Sequence, residues 1–252
     1  MSLGRALNQL LSAAKSAAPT ALSCSRSDQQ QHQQNNGRLS EWQTERLKAL
    51  MDSLPLTELL DILPTASTWQ KEHLIRGSAV PPCYATEIWN QPALTLVVFN
   101  LRDAGCQLPL HDHPGMHGFL RVLRGKVRVT SYSRPVGQMS SSSTQPNSTR
   151  SVPVLFDYQQ VVTPSDGTCV LTPTKGNYHR VEAVEGAASF FDLLMPSYNP
   201  PAIDCHYYEP VSPDSPLTAG QACWLRRVPC PRLYWTEDWP YMGPPLAAEH
   251  SI

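Results

Sequence analysis

Charge of one sign is what this sequence lacks most plainly: 20 Lys and Arg stand against 21 Asp and Glu, a formal net charge of −1 over 252 residues. No broad electrostatic field gathers phosphates, so neither a charge-driven nucleic-acid binder nor a protein held to anionic membranes is expected. Long apolar runs are missing too. The longest, such as Leu96 to Phe99, fall far short of the roughly 20 residues that cross a bilayer. Cysteine pairs of the CxxC type are absent, and the seven cysteines, at 24, 83, 106, 169, 205, 223 and 230, are scattered and odd in number. That usage suggests neither a disulfide framework nor a cysteine-rich zinc site, and it fits a reducing compartment. A soluble cytoplasmic protein is expected, and nothing demands more than a monomer. No internal repeat is visible.

With 41% hydrophobic residues, a chain of this length can bury one large core, and all-β barrels reach this size as single domains. The first stretch, MSLGRALNQLLSAAKSAAPTALSCSRS, has three basic residues (Arg5, Lys15, Arg26), no acid before Asp28, and apolar residues at helical spacing. An amphipathic first helix and a mitochondrial presequence both read this way. Residues 28–38, DQQQHQQNNGR, are too polar to enter a core and read as a disordered linker. Residues 1–38 are therefore set apart as a flexible N-terminal segment, ahead of one domain over 39–252. That domain opens on one or two short helices in 40–63, with Trp42, Leu47, Leu50, Met51 and Leu54 as the apolar face, Ser40 as the N-cap and Pro55 as the break. From about residue 83 the texture changes to short runs of β-formers separated by turn residues, which predicts a mainly β barrel or sandwich. A low-complexity loop, 137–150, interrupts it, and its Asn147-Ser148-Thr149 sequon matters only in a secreted protein. Prolines are densest late in the chain, so the part after Pro196 is expected to wrap irregularly over the barrel.

Chemistry concentrates in LPLHDHPGMHGFLRVLRG, residues 108–125. If 108–113 is extended, alternation puts His111 and His113 on one face and Asp112 on the other, so the two imidazoles can share one metal ion. His-x-His alone is weak evidence. A third histidine is available at His179, at the start of another expected strand just after Gly176. Glycine spacing supports the grouping. Gly105, five residues, His111-Asp112-His113 and then Gly125 resemble the first cupin motif, while Gly167, Pro173, Gly176 and His179 resemble the second. The departure is Gly118, where the cupin pattern has a glutamate. Three neutral imidazoles would leave a divalent ion its full charge, which favours an anionic soft ligand such as a thiolate. His117 is a candidate replacement ligand, although its offset favours a packing or supporting role.

Beyond the metal motif, the segments CVLTP, AVEG, FDLLMPSYNP and DCHYYEPV resemble the cysteamine dioxygenase and plant cysteine oxidase family of cupin thiol dioxygenases. The resemblance covers roughly residues 80–212 and weakens in the helices before and the Trp-rich tail after. It implies a cupin barrel with short N-terminal helices holding one Fe(II) per chain by His111, His113 and His179, with O₂ as co-substrate. The implied substrates are cysteamine, giving hypotaurine, and proteins with N-terminal cysteine, whose sulfinic acid marks them for arginylation and degradation in oxygen-dependent signalling. Asp192 matches the family's active-site aspartate. Strand alternation could turn it to solvent instead, although an acid amid Phe190, Phe191, Leu193 and Leu194 is costly to bury without a partner. Cys205 and Tyr207 match a pair that forms a thioether cross-link in the family, and a buried cysteine beside a packing tyrosine is the plainer alternative. Two rivals stay open: a non-enzymatic cupin holding zinc, which three histidines suit equally, and a cupin acting on another small substrate.

Overall fold

The computed structural model describes residues 1–18, 38–63, 68, 71, 73, 75, 79–135, 151–212 and 216–247. All of the expected linker 28–38 except Arg38, and the expected loop 137–150, lie outside them.

Two sheets make the body of the molecule. The six-stranded sheet runs β12 (Thr236–Asp238), β1 (Cys83–Gln91), β2 (Leu94–Leu101), β9 (Ala188–Met195), β4 (His117–Arg124), β7 (Thr168–Leu171). The second runs β10 (Tyr207–Pro210), β11 (Ala222–Val228), β6 (Ser151–Val162), β5 (Val127–Ser133), β8 (Tyr178–Ala183), β3 (Gln107–Asp112), and closes where β10 meets β3. Every pairing is antiparallel except β1 with β12. The mainly β barrel read from the sequence is thus the observed fold. The chain after Pro196 is less irregular than its prolines suggest, because β10, β11 and β12 each find a strand edge to pair with.

Three helices cover the outer face of the six-stranded sheet: α1 (Leu3–Ala17), α2 (Glu41–Asp52) and α3 (Leu56–Asp61). Ser40 caps α2 as expected, accepting from Gln43 N at 3.2 Å while Gln43 Oε1 accepts from Ser40 N at 2.8 Å, and Pro55 separates α2 from α3. The expectation of a flexible 1–38 is corrected over its first part. Leu3, Leu7, Leu10, Leu11 and Ala14 of α1 are buried in one core cluster with Leu47, Met51 and Leu59 of the other helices and with Phe191, Leu193 and Met195 of β9. Apolar spacing that reads as a free amphipathic helix is satisfied here by docking. None of the described helices is long and apolar enough to cross a membrane.

Alternation along β9 decides what lies inside the barrel. Phe191, Leu193 and Met195 face the helices. Phe190, Asp192 and Leu194 take the opposite face and line an internal cavity. Because both faces of β9 are covered, no orientation of the strand exposes Asp192.

Candidate metal centre

Antiparallel pairing of β3 and β8 places His111 directly opposite His179. His113 follows one residue past the end of β3, on the same face as His111. Two tight turns make this possible: Gly115 (φ 72°) and Gly176 (φ 66°) adopt backbone conformations open to glycine and strained for other residues. Asn177 then joins the two histidine segments. Its side chain donates to His113 O at 2.7 Å and to Thr172 O at 3.0 Å, and its carbonyl accepts from His113 N at 3.2 Å.

The three imidazoles form a nearly equilateral triangle, with ring centroids 4.7, 4.7 and 4.8 Å apart. Hydrogen bonds fix which nitrogens face inward. His111 Nδ1 lies 2.7 Å from Pro109 O, which can only accept, so Nδ1 carries the proton and Nε2 keeps its lone pair. Tyr198 Oη donates to Asp112 O at 2.7 Å, so its 2.9 Å contact with His113 Nδ1 is one in which the ring donates. His113 Nε2 and His179 Nε2 stand 3.2 Å apart. Nitrogens bound to one ion at about 2.1 Å sit about 3.0 to 3.4 Å from each other in octahedral or tetrahedral sites. The pair from His113 and His179 is spaced for one metal ion, and the ligand nitrogens of all three rings lie within 4.8 Å of one another. Burial lowers all three pKa values, most strongly for His113 and His179, so the rings stay neutral and keep their lone pairs available.

No carboxylate joins this cluster among the described residues. Asp112 faces away, as alternation requires, accepting from Tyr208 Oη and from His206 N at 2.9 Å each. At Gly118 the absence is enforced by packing, since an added Cβ would stand 2.9 Å from Leu171 Cγ. His117 stays apart from the triangle. It is buried, its Nε2 lies 3.4 Å from Leu39 N ahead of α2, and burial, with Arg38 nearby, lowers its pKa to about 4.

Beside the triangle lies a cavity of about 140 Å³. Asp192, Cys205 and Tyr207, the three other residues singled out from the sequence, all line it. Desolvation raises the Asp192 carboxyl to about 8, and no hydrogen bond reaches that carboxylate from the described residues. Cys205 is pushed up to about 12, first by burial, and lines the cavity together with Tyr198 and Tyr207. His206, between the two candidates, turns away toward Asp112. Sequence reasoning missed Tyr198 and Tyr234, which also line the cavity. Each sits in proline-rich chain with no period or motif to mark it, although Tyr198 falls inside the quoted segment FDLLMPSYNP.

Comparison with known proteins adds independent findings. The model of the PCO_ADO family matches residues 50–246. The 2-aminoethanethiol dioxygenase of Homo sapiens is 36% identical over 220 residues, which cover 79% of each chain. Plant cysteine oxidase 1 of Arabidopsis thaliana is 26% identical over 170 residues, 67% of this chain and 55% of that one. A solved cupin superfamily protein from Desulfitobacterium hafniense aligns with TM-score 0.33 and 12% identity over 54% of this chain and 90% of its own.

Proposed function

The chain belongs to the PCO_ADO family, and from that membership we propose a three-histidine Fe(II) centre that adds both atoms of O₂ to the sulfur of aminothiols. It is a thiol dioxygenase, an oxidoreductase: R–SH + O₂ gives R–SO₂H, with every atom of both reactants in the product. The proposed substrates are cysteamine, giving hypotaurine, and the N-terminal cysteine of proteins, giving cysteine sulfinic acid, an oxygen-dependent signal for arginylation and degradation. One observation carries the reading: three neutral imidazoles gather beside a buried cavity, and Gly118, where the cupin pattern has a glutamate, offers no carboxylate and is packed against Leu171.

His111, His113 and His179 would hold the ion. When bound, iron would lower the thiol pKa and supply the redox chemistry that O₂ needs to react with sulfur. The remaining roles belong to the protein. Pro109 O and Tyr198 Oη hold the first two rings in the tautomer that points Nε2 inward. Phe99, Leu108, Val181 and Phe190 wall the cavity and keep water from the reacting sulfur. Asp192 offers a buried carboxylate to the substrate's ammonium, which is the partner that would return it to its charged form. Cys205, held as a neutral thiol, does not compete with the substrate as a thiolate, and it shares the cavity wall with Tyr207, the partner of the proposed thioether link. A reducing cytoplasm suits the free thiols among the described residues.

Oxygen uptake by anaerobically Fe(II)-loaded protein, given cysteamine or a peptide with N-terminal Cys, tests this reading. Mass spectrometry should find two oxygen atoms added on sulfur, and acetylating the peptide amine should abolish turnover. Alanine at His111, His113 or His179 should remove most bound iron and reduce activity by more than the roughly 10- to 100-fold that losing a ligand's hydrogen-bonding partner costs. A variant retaining both would overturn the assignment of these histidines as the ligands, whereas bound metal with no uptake on either thiol would leave a metal-binding cupin without this reaction.

A further inference from the structure

The cavity is too small for the larger of the two proposed substrates. A buried cavity of roughly 150 Å³ takes one benzene, and this one measures about 140 Å³. Cysteamine is smaller than benzene, and an N-terminal cysteine residue matches it in heavy atoms. A polypeptide must therefore leave the cavity at the nitrogen of its second residue.

Two residues of the cavity wall, Pro109 and Tyr234, also wall a second and larger space, an open groove of about 510 Å³. One side of it is the start of β3 with the turn before it, 102–107, and the other is the segment 231–235. The β3 side is an open strand edge. Gln107 and Leu108 pair with Glu182 and Val181 of β8, whereas β10 joins β3 only at Tyr207 opposite His111, so among the described residues no strand flanks Gln107 and Leu108 on their far side; Pro109, with no N–H and its carbonyl held by His111 Nδ1, ends that edge. Such an edge accepts an extended chain through backbone hydrogen bonds. The opposite side carries Leu233, 86% exposed, and Trp235, 39% exposed. Large apolar side chains displayed around a concavity mark a docking surface. Charge in the groove is already engaged, since Arg102 donates to Asp103 Oδ2 at 2.9 Å and to Val80 O at 2.7 Å.

We propose that this groove docks the polypeptide that follows the N-terminal cysteine of a protein substrate, as extended chain along the edge of β3 with its second and third side chains against Leu233 and Trp235. The proposal rests on the thiol dioxygenase reading of the cavity. It assigns the choice between small thiol and protein to surface that touches neither the metal ligands nor Asp192. Its occupant is argued from adjacency: Pro109 and Tyr234 wall both the cavity and the groove.

The test compares cysteamine, the dipeptide Cys-Leu amide and a decapeptide opening Cys-Leu-Leu on the iron-loaded full chain. A fluorescein-labelled decapeptide opening Ser-Leu-Leu reports binding to the metal-free protein by anisotropy. KM should fall about tenfold from dipeptide to decapeptide. Leu233→Asp and Trp235→Ser should each raise the decapeptide KM about tenfold, a loss of roughly 1.4 kcal/mol, and weaken the labelled peptide by the same factor. They should leave kcat and the cysteamine KM unchanged. Equal KM for dipeptide and decapeptide would overturn the proposal, as would variants that impair cysteamine equally. A labelled peptide indifferent to both substitutions would overturn it too, including where Leu233→Asp merely disperses a dimer. If neither thiol is oxidised but the labelled peptide still binds and is released by Leu233→Asp, the groove stands and the reaction assigned to the cavity fails.

Discussion

Gly118 carries the difference between this site and one that adds a carboxylate. The sequence reveals the missing side chain, but the structure reveals that Leu171 occupies its place from the neighbouring strand β7. Gly118→Glu is therefore expected to supply no ligand and to destabilise the fold by about 1–3 kcal/mol through overpacking, a drop of several degrees in a thermal melt. Pairing it with Leu171→Ala should recover most of that loss. A single variant as stable as the parent would mean that Leu171 yields readily. The histidines were legible because His-x-His on a strand and a histidine after a glycine turn are local patterns with geometric consequences. Leu171, Tyr198 and Tyr234 were not, since cross-strand packing and the approach of distant loops leave no mark on spacing along the chain.

Among the elements, α1 shows how a correct local pattern can be assigned the wrong setting. Its apolar spacing is legible in the sequence, but the polar tract after it makes the whole of 1–38 read as flexible. An isolated helix of this length is marginal in water, and what holds α1 is a core it shares with α2, α3 and the outer face of the six-stranded sheet, partners drawn from residues 47–63, 88–123 and 191–195. Leu7→Ala and Leu10→Ala remove side chains with no exposed surface and should each cost about 2–5 kcal/mol in urea denaturation. Losses below about 0.5 kcal/mol, typical of surface positions, would return α1 to the status of an appendage. Cleavage as a presequence would take the same side chains out of the core. A polar tie works alongside them: Asp52 at the end of α2 accepts from Arg121 of β4 at 3.1 Å and from Thr168 of β7 at 2.6 Å, so the helical layer is hydrogen-bonded to the sheet as well as packed on it.

For the molecule as a whole, the buried acid makes stability depend on pH. Asp192 has its folded pKa raised to about 8, against about 3.9 when unfolded. Between those values the folded protein keeps a proton that the unfolded chain has released. The stabilisation is therefore complete below about pH 4 and lost as the pH rises to about 8. His117 acts in the opposite sense, withdrawing stability as the pH falls toward its folded value of about 4, so the parent must be compared with Asp192→Asn rather than judged alone. In metal-free protein the difference between the two should change by a few kcal/mol across that window, on the order of the shift itself. A constant difference would place the carboxyl in contact with water.

The meeting of β10 and β3 has a consequence in time. It consists of one pair, Tyr207 with His111, reinforced by Asp112 holding His206 and Tyr208 across sequence separations of 94 and 96 residues. Closing so long a stretch of chain costs more entropy than making a hairpin, and contacts of that kind form late. A chain emerging from synthesis can own most of its strands while β10 has yet to arrive beside His111. The cavity beside the histidines is then still without its Cys205 and Tyr207 wall, so a complete site comes only with a finished protein.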